Sequence, residues 1–141
     1  MRTLANAERV NLLTNLDGKQ FSIVFELNLH SKIVVDISCF CFANDGLFLT
    51  DDFMVFYNQS VAPDGSIEYI KNSDQTSHEF RFDLSKLKKE IVDIHFYATI
   101  DGTGSLSDIA SIKVSLIEGG KTRFRSKKKK KIIDEGSTAK L

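Results

Sequence analysis

The residues best suited to chemistry are carboxylates. Asp36, Asp45, Asp51, Asp52 and Asp64 fall at predicted strand ends and turns. Hard oxygen ligands on loops suit Ca²⁺, and loops at one end of a β-sandwich can converge on one ion. No EF-hand loop is present, because Asn44-Asp45-Gly46 lacks the later ligands and the bidentate Glu. Cys39 and Cys41 have one residue between them, which does not match zinc spacing, and in a strand their side chains stand too far apart for an unstrained disulfide. They read as two small core residues, where a thiolate is disfavoured. His30 sits at a turn, His78 in a polar loop and His95 on the polar face of a strand, with no Gly-x-Ser-x-Gly elbow anywhere. Gly102-Thr103-Gly104 lacks the Lys-Ser/Thr of a phosphate loop and reads as a hairpin turn. The pattern points away from an enzyme.

The second chemical feature is charge. The 141 residues sum to zero, yet 121–141 holds nine basic residues against two acids, and 1–120 holds ten against seventeen. An acidic body (−7) therefore carries a basic end (+7). Lys127, Lys128, Lys129, Lys130 and Lys131 are consecutive, and five adjacent ammonium groups resist desolvation. The expectation is a disordered, lysine-rich tail over 126–141, able to dock electrostatically on anionic membrane or nucleic acid. Only Phe124 interleaves with the bases, too little for a base-stacking platform, so no specific nucleic acid is expected.

The elements that must position these groups are strands. Ile33, Val35, Ile37, Cys39 and Cys41 share one face of a period-two run, opposite Val34, Asp36, Ser38, Phe40 and Phe42. Phe21, Ile23, Phe25, Leu27 and Leu29 alternate with Ser22, Val24, Glu26 and Asn28. Similar signals occupy 53–57, 79–83, 91–99, with Val92, Ile94, Phe96 and Ala98 on one face, and 110–118, with a short edge strand at 122–125. Asp17-Gly18, Pro63-Asp64-Gly65 and Glu118-Gly119-Gly120 are turn clusters between them. The sum is an all-β fold: an antiparallel β-sandwich domain over 4–125 with at most one short helix, at about 84–90, capped by Asp83 or Ser85. No apolar run reaches the length of a membrane-spanning helix, the first residues lack the order of a secretory signal, and two cysteines not placed for a disulfide fit a reducing cytoplasm.

Several of these segments together resemble the TerD family of bacterial tellurium-resistance and stress proteins. They are Asp36-Ile37-Ser38-Cys39-Phe40, Asn44-Asp45-Gly46, Asp51 to Gln59, Pro63-Asp64-Gly65-Ser66, Phe80 to Leu87 and Ala98 to Gly102. With Glu8-Arg9-Val10 they look most like the TerA-type branch. The resemblance implies a β-sandwich and a non-enzymatic role in resistance to tellurite and other stress. It also implies action with other tellurium-resistance proteins and a membrane-bound complex, in the cytoplasm or peripheral to the inner membrane. TerD-like members bind Ca²⁺, and carried over residue by residue the matching positions are Asp36 and Asp51, with Asn58 and Asp64 nearby. Three departures follow. The family's Asp-x-Asp pair is Val34-x-Asp36 here; the acidic loop after the Pro-Asp-Gly turn is Lys71 to His78; and the lysine run stands where members continue, as in a C-terminally truncated product. The expectation is a binding or scaffold module with a degenerate calcium site, taking no cofactor or only weak Ca²⁺.

Overall fold

In a computed structural model, residues 16–43, 53–71, 76–101, 108–129 and 138–140 are described. Among the described residues nine strands form two antiparallel sheets: β1 (Gln20–Leu29), β2 (Val34–Ala43), β3 (Met54–Val55), β4 (Ile67–Lys71), β5 (Ser77–Asp83), β6 (Ile91–Asp101), β7 (Ile109–Glu118), β8 (Lys121–Lys129) and β9 (Thr138–Lys140). One sheet has the order β4-β5-β1-β7-β8 and the other β3-β2-β6-β9. This is the all-β sandwich that the alternation predicts.

The alternation determines which face each strand buries. Phe21, Ile23, Phe25 and Leu27 of β1 and Val35, Ile37, Cys39 and Cys41 of β2 all lie in the core, as their spacing requires. Phe96 of β6 reaches across the gap between sheets, its ring 4.9 Å from Phe25 and 5.2 Å from Phe80. Phe21 and Phe82 stack in parallel at 4.9 Å within the five-stranded sheet. Each such ring contributes roughly 1.5–3 kcal/mol by leaving water, with about 0.5–1.5 kcal/mol more for a well-placed aromatic pair.

The faces of β6 depart from expectation at one residue. Val92 is 51% exposed while Ile91 is 8% exposed. Phe42 pairs with Asp93 but Ala43 pairs with Ile91, so Val92 is the extra residue of a bulge. A bulge flips the parity of everything before it, and nothing local in the sequence marks it.

Residues 84–90 form consecutive turns and no helix. Lys86 N–H donates to the Asp83 carbonyl at 3.1 Å and Leu87 N–H to the Leu84 carbonyl at 3.3 Å. Asp83 still acts as a local cap: its Oδ1 accepts from Ser85 N–H at 3.0 Å and from the Ser85 hydroxyl at 2.5 Å. Leu84 and Leu87 pack on the core, three residues apart, so a single turn satisfies the segment.

At the C-terminal side β8 runs past 125, where the domain was expected to end, to Lys129, which pairs with Ser111. The backbone of 126–129 thus belongs to the sheet; a ladder satisfies N–H and C=O groups without burying side chains. The hairpin joining β7 to β8 turns on Gly119 and Gly120, with φ of 57° and 80°. Two consecutive positive φ values are the requirement of a type I′ turn, whose twist matches paired strands.

Candidate functional site

Of the expected calcium ligands, Asp36 and Asp64 stand apart along the sandwich. Asp36 stands on β2 opposite Thr99, near the end where Val34 pairs with Asp101. Asp64 belongs to the other end. Its Oδ1 accepts from Ser66 N–H at 2.9 Å and the Ser66 hydroxyl at 2.5 Å, and its Oδ2 from Lys88 N–H at 3.1 Å. Lys88 in turn accepts from Ile91 N–H at 3.1 Å, where β6 begins. The run from Ile91 to Thr99 spans about 26 Å at roughly 3.3 Å per residue. Two ligands of one Ca²⁺, each about 2.3–2.6 Å from the ion, lie within about 5 Å of each other. Asp36 and Asp64 therefore do not share an ion. Asn58 is exposed in the tight turn closed by reciprocal Phe56–Gln59 backbone bonds of 3.0 and 3.1 Å. Asp51 lies outside the described residues. Among the described residues no three His, Cys, Asp or Glu side chains converge as a metal site.

Asp64 has a visible structural task instead. Pro63 and Asp64 occupy the middle of a turn closed by Gly65 N–H donating to the Ala62 carbonyl at 2.9 Å, and Gly65 has a φ of 75°. Pro at the second turn position and a left-handed glycine after it are the expected chemistry. Through Lys88 the Asp64 carboxylate ties this turn to the 84–90 segment.

Near Asp36, the Tyr69 hydroxyl and Nδ1 of the buried His78 are hydrogen-bonded at 2.8 Å. Burial and, secondarily, the negative charge of Asp36 push the Tyr69 phenol above its ordinary range. His78 was expected in a polar loop; it faces inward from β5, in line with Phe80 and Phe82. His30 closes a loop by donating its N–H to the Asp108 carbonyl at 2.7 Å.

Cys39 and Cys41 are both 0% exposed. Burial, reinforced by the neighbouring Cys41 thiol, holds the Cys39 thiol well above its usual range, so Cys39 is not placed for thiolate chemistry.

The outer face of the four-stranded sheet is aromatic. Phe40 lies 4.9 Å from Tyr97 and Phe42 4.4 Å from His95, and all four are half-buried. The Phe40 and Phe42 positions were legible as the mixed face of β2, but their cross-strand partners were not. A cleft of about 400 Å³ opens on the five-stranded sheet, lined by Gln20, Ser22, Glu68, Arg81, Asp83 and Lys86 among others. Its two cations and two acids balance, so it concentrates neither anions nor cations.

A further carboxylate is missed by sequence reading. Glu118 accepts from Asp17 N–H at 2.9 Å and Gly18 N–H at 2.6 Å, and pairs with Arg123 at 3.3 Å; Arg123 also pairs with Asp17. The bond from Asp17 N–H, then those from Gly18 and Arg123, hold Glu118 below the ordinary carboxylate range. Both ends were recognised as turns, but they meet only in three dimensions.

Of the expected basic tail, Lys127, Lys128 and Lys129 lie in β8, and Lys130 and Lys131 fall outside the described residues.

The family model of the TerD domain matches residues 3–131. The chain belongs to the TerD family. Over 73 residues it is 36% identical to the tellurium resistance protein TerA of Alcaligenes sp., a match covering 52% of this chain and 21% of that protein. The chain thus spans about a fifth of that TerA protein. The crystal structure of a protein of unknown function, SAV2460, superposes with a TM-score of 0.60 over 87% of this chain and 78% of its own, at 13% identity, and so shares the fold. No described helix is long and apolar enough to cross a membrane.

Proposed function

We propose that this TerD-family chain is a non-catalytic binding or scaffold module in a bacterial tellurium-resistance and stress response, with a calcium site reduced below function. One observation carries the reading: the Asp64 carboxylate is committed to Ser66 and Lys88, at the far end of the sandwich from Asp36. A carboxylate that closes a turn in this way leaves the surfaces of the chain to act. The half-buried aromatic face formed by Phe40, Phe42, His95 and Tyr97 has the composition of a recognition surface. The partners are other tellurium-resistance proteins, including a membrane-bound complex, in the cytoplasm or at the inner membrane.

The test is paired. In a tellurite-sensitive bacterial host carrying the other resistance proteins, the chain raises the tolerated tellurite concentration. The purified protein alone consumes no tellurite; consumption would overturn the reading. Calorimetric titration with Ca²⁺ shows no binding tighter than about 10⁻⁵ M, the sensor range.

A second reading, docking on anionic membrane or nucleic acid through Lys127 to Lys131, draws on the +7 charge of 121–141. Each basic residue near an anionic surface contributes about 1 kcal/mol. Co-sedimentation with vesicles or DNA at low salt, lost on removing 126–141, would support it.

A further inference from the structure

We infer that the outer edge of β8 captures an acidic extended segment of a partner protein by strand addition. The inference rests on the binding-module reading and names one surface and one partner chemistry for it. Among the described residues β8 has a neighbour on one side only, β7, so the backbone groups on its other side face no strand there. β8 is nine residues long, enough for a sustained ladder.

Arg123 is paired with Glu118 and Asp17, but the positions opposite the rest of the basic strand on β7 supply few acids. Lys121, Arg123, Arg125, Lys127, Lys128 and Lys129 are basic. Across β7, Arg125 stands opposite Ser115, Lys127 opposite Lys113, Lys128 opposite Ile112 and Lys129 opposite Ser111. Lys113 is already paired with Glu26 at 3.0 Å. The one acid of β7 in this register is Glu118, opposite Lys121, and its oxygens are taken by Asp17, Gly18 and Arg123. Acids on a strand beyond its open edge would balance Arg125, Lys127, Lys128 and Lys129, opposite which β7 sets no acid.

The same charges discriminate between occupants. A second copy adding β8 to β8 would set bases against bases, and like charges directly opposite are destabilising. Lysines on an edge are a common guard against self-association. A strand with Glu or Asp at alternate positions meets both requirements: main-chain hydrogen bonds to the edge and opposite charge beside Arg125 and Lys127. A flat anionic surface supplies charge but no ladder.

The experiment uses the full chain and fluorescein-labelled peptides read by anisotropy. One peptide alternates Glu with Val; a second replaces its central Val with Pro, which keeps the charge but removes a ladder donor. Vesicles of phosphatidylglycerol and a short DNA duplex compete for the protein. The alternating peptide binds, binding weakens with added salt, and the proline peptide binds about tenfold more weakly, the scale of one lost main-chain hydrogen bond. Arg125→Glu weakens the alternating peptide by a similar factor while thermal unfolding shows the variant folded. Equal binding of the two peptides, no binding of either, or displacement of the peptide by vesicles or DNA at lower concentrations than unlabelled peptide would each overturn the inference. None of those outcomes touches the binding-module reading, which fails if the purified chain consumes tellurite.

Discussion

Asp64 accepts a hydrogen bond from the backbone N–H of Lys88, twenty-four residues away, at 3.1 Å. Together with its two bonds to Ser66 this makes the carboxylate a clasp between the β4 entry turn and the crossover to the second sheet. Asp64→Ala lowers stability by about 1–2 kcal/mol, the scale of a lost carboxylate cap. Asp64→Asn costs less, because its amide oxygen still accepts from Ser66. Urea denaturation checks both. A calcium-dependent wild-type midpoint that the Ala variant loses would assign Asp64 to a metal instead.

The bulge at Val92 predicts opposite outcomes for adjacent residues. Val92→Thr, on the exposed side, changes stability by no more than about 0.5 kcal/mol. Ile94→Ala, in the core, costs about 2–5 kcal/mol. Chemical denaturation of the two variants separates this arrangement from simple alternation, in which both side chains would be equally buried.

Much of the fold is legible because burial follows a period of two. The inward faces of β1 and β2 need only local alternation, and their Phe21, Ile23, Phe25, Leu27, Val35, Ile37, Cys39 and Cys41 lie in the core, whereas in β7 a register shift buries Ile109 out of step with Ile112, Val114 and Leu116. Val92 was misassigned because a bulge is a property of two strands in register. The 84–90 segment has helical composition yet settles into turns, since its flanks are pinned by β5 and β6. β4 passed unnoticed because Ile67-Glu68-Tyr69-Ile70-Lys71 is short and its pairing with β5 supplies the missing signal. The acids were visible as residues, but their partners were not: Asp64 with Lys88 and Glu118 with Gly18 are long-range bonds.

Glu118 and Asp83 both sit below the ordinary carboxylate range in the folded chain, Glu118 through the Asp17 and Gly18 amides and Asp83 chiefly through the Ser85 hydroxyl. The unfolded state therefore binds protons first as pH falls. Their stabilisation is fully present above the unfolded values, about 4.3 for Glu and 3.9 for Asp, and is lost as pH drops through the folded values. Glu118→Gln is less stable than wild type at pH 6, and the gap closes below about pH 4. Denaturation midpoints from pH 7 to pH 3 check the trend; a gap independent of pH would remove the charge from the explanation.

The buried thiols predict inertness. Native protein reacts with a thiol reagent only as fast as it opens, and added urea accelerates modification of Cys39 and Cys41. Cys39→Ser costs about 1–3 kcal/mol if the hydroxyl is left without a partner in the apolar layer. Rapid labelling in native buffer would show that β2 exposes its inner face.

The position of β1 governs how the chain is made. β1 occupies the centre of the five-stranded sheet, between β5 and β7, and its ladders join Phe21 to Phe82 and Ser22 to Ile117. Both of its neighbours leave the ribosome after it. Until they emerge, the Phe21, Ile23, Phe25 and Leu27 stripe has no native cover. The five-stranded sheet can therefore close around β1 only after β7 has emerged, and the nascent stripe is where a chaperone would hold it.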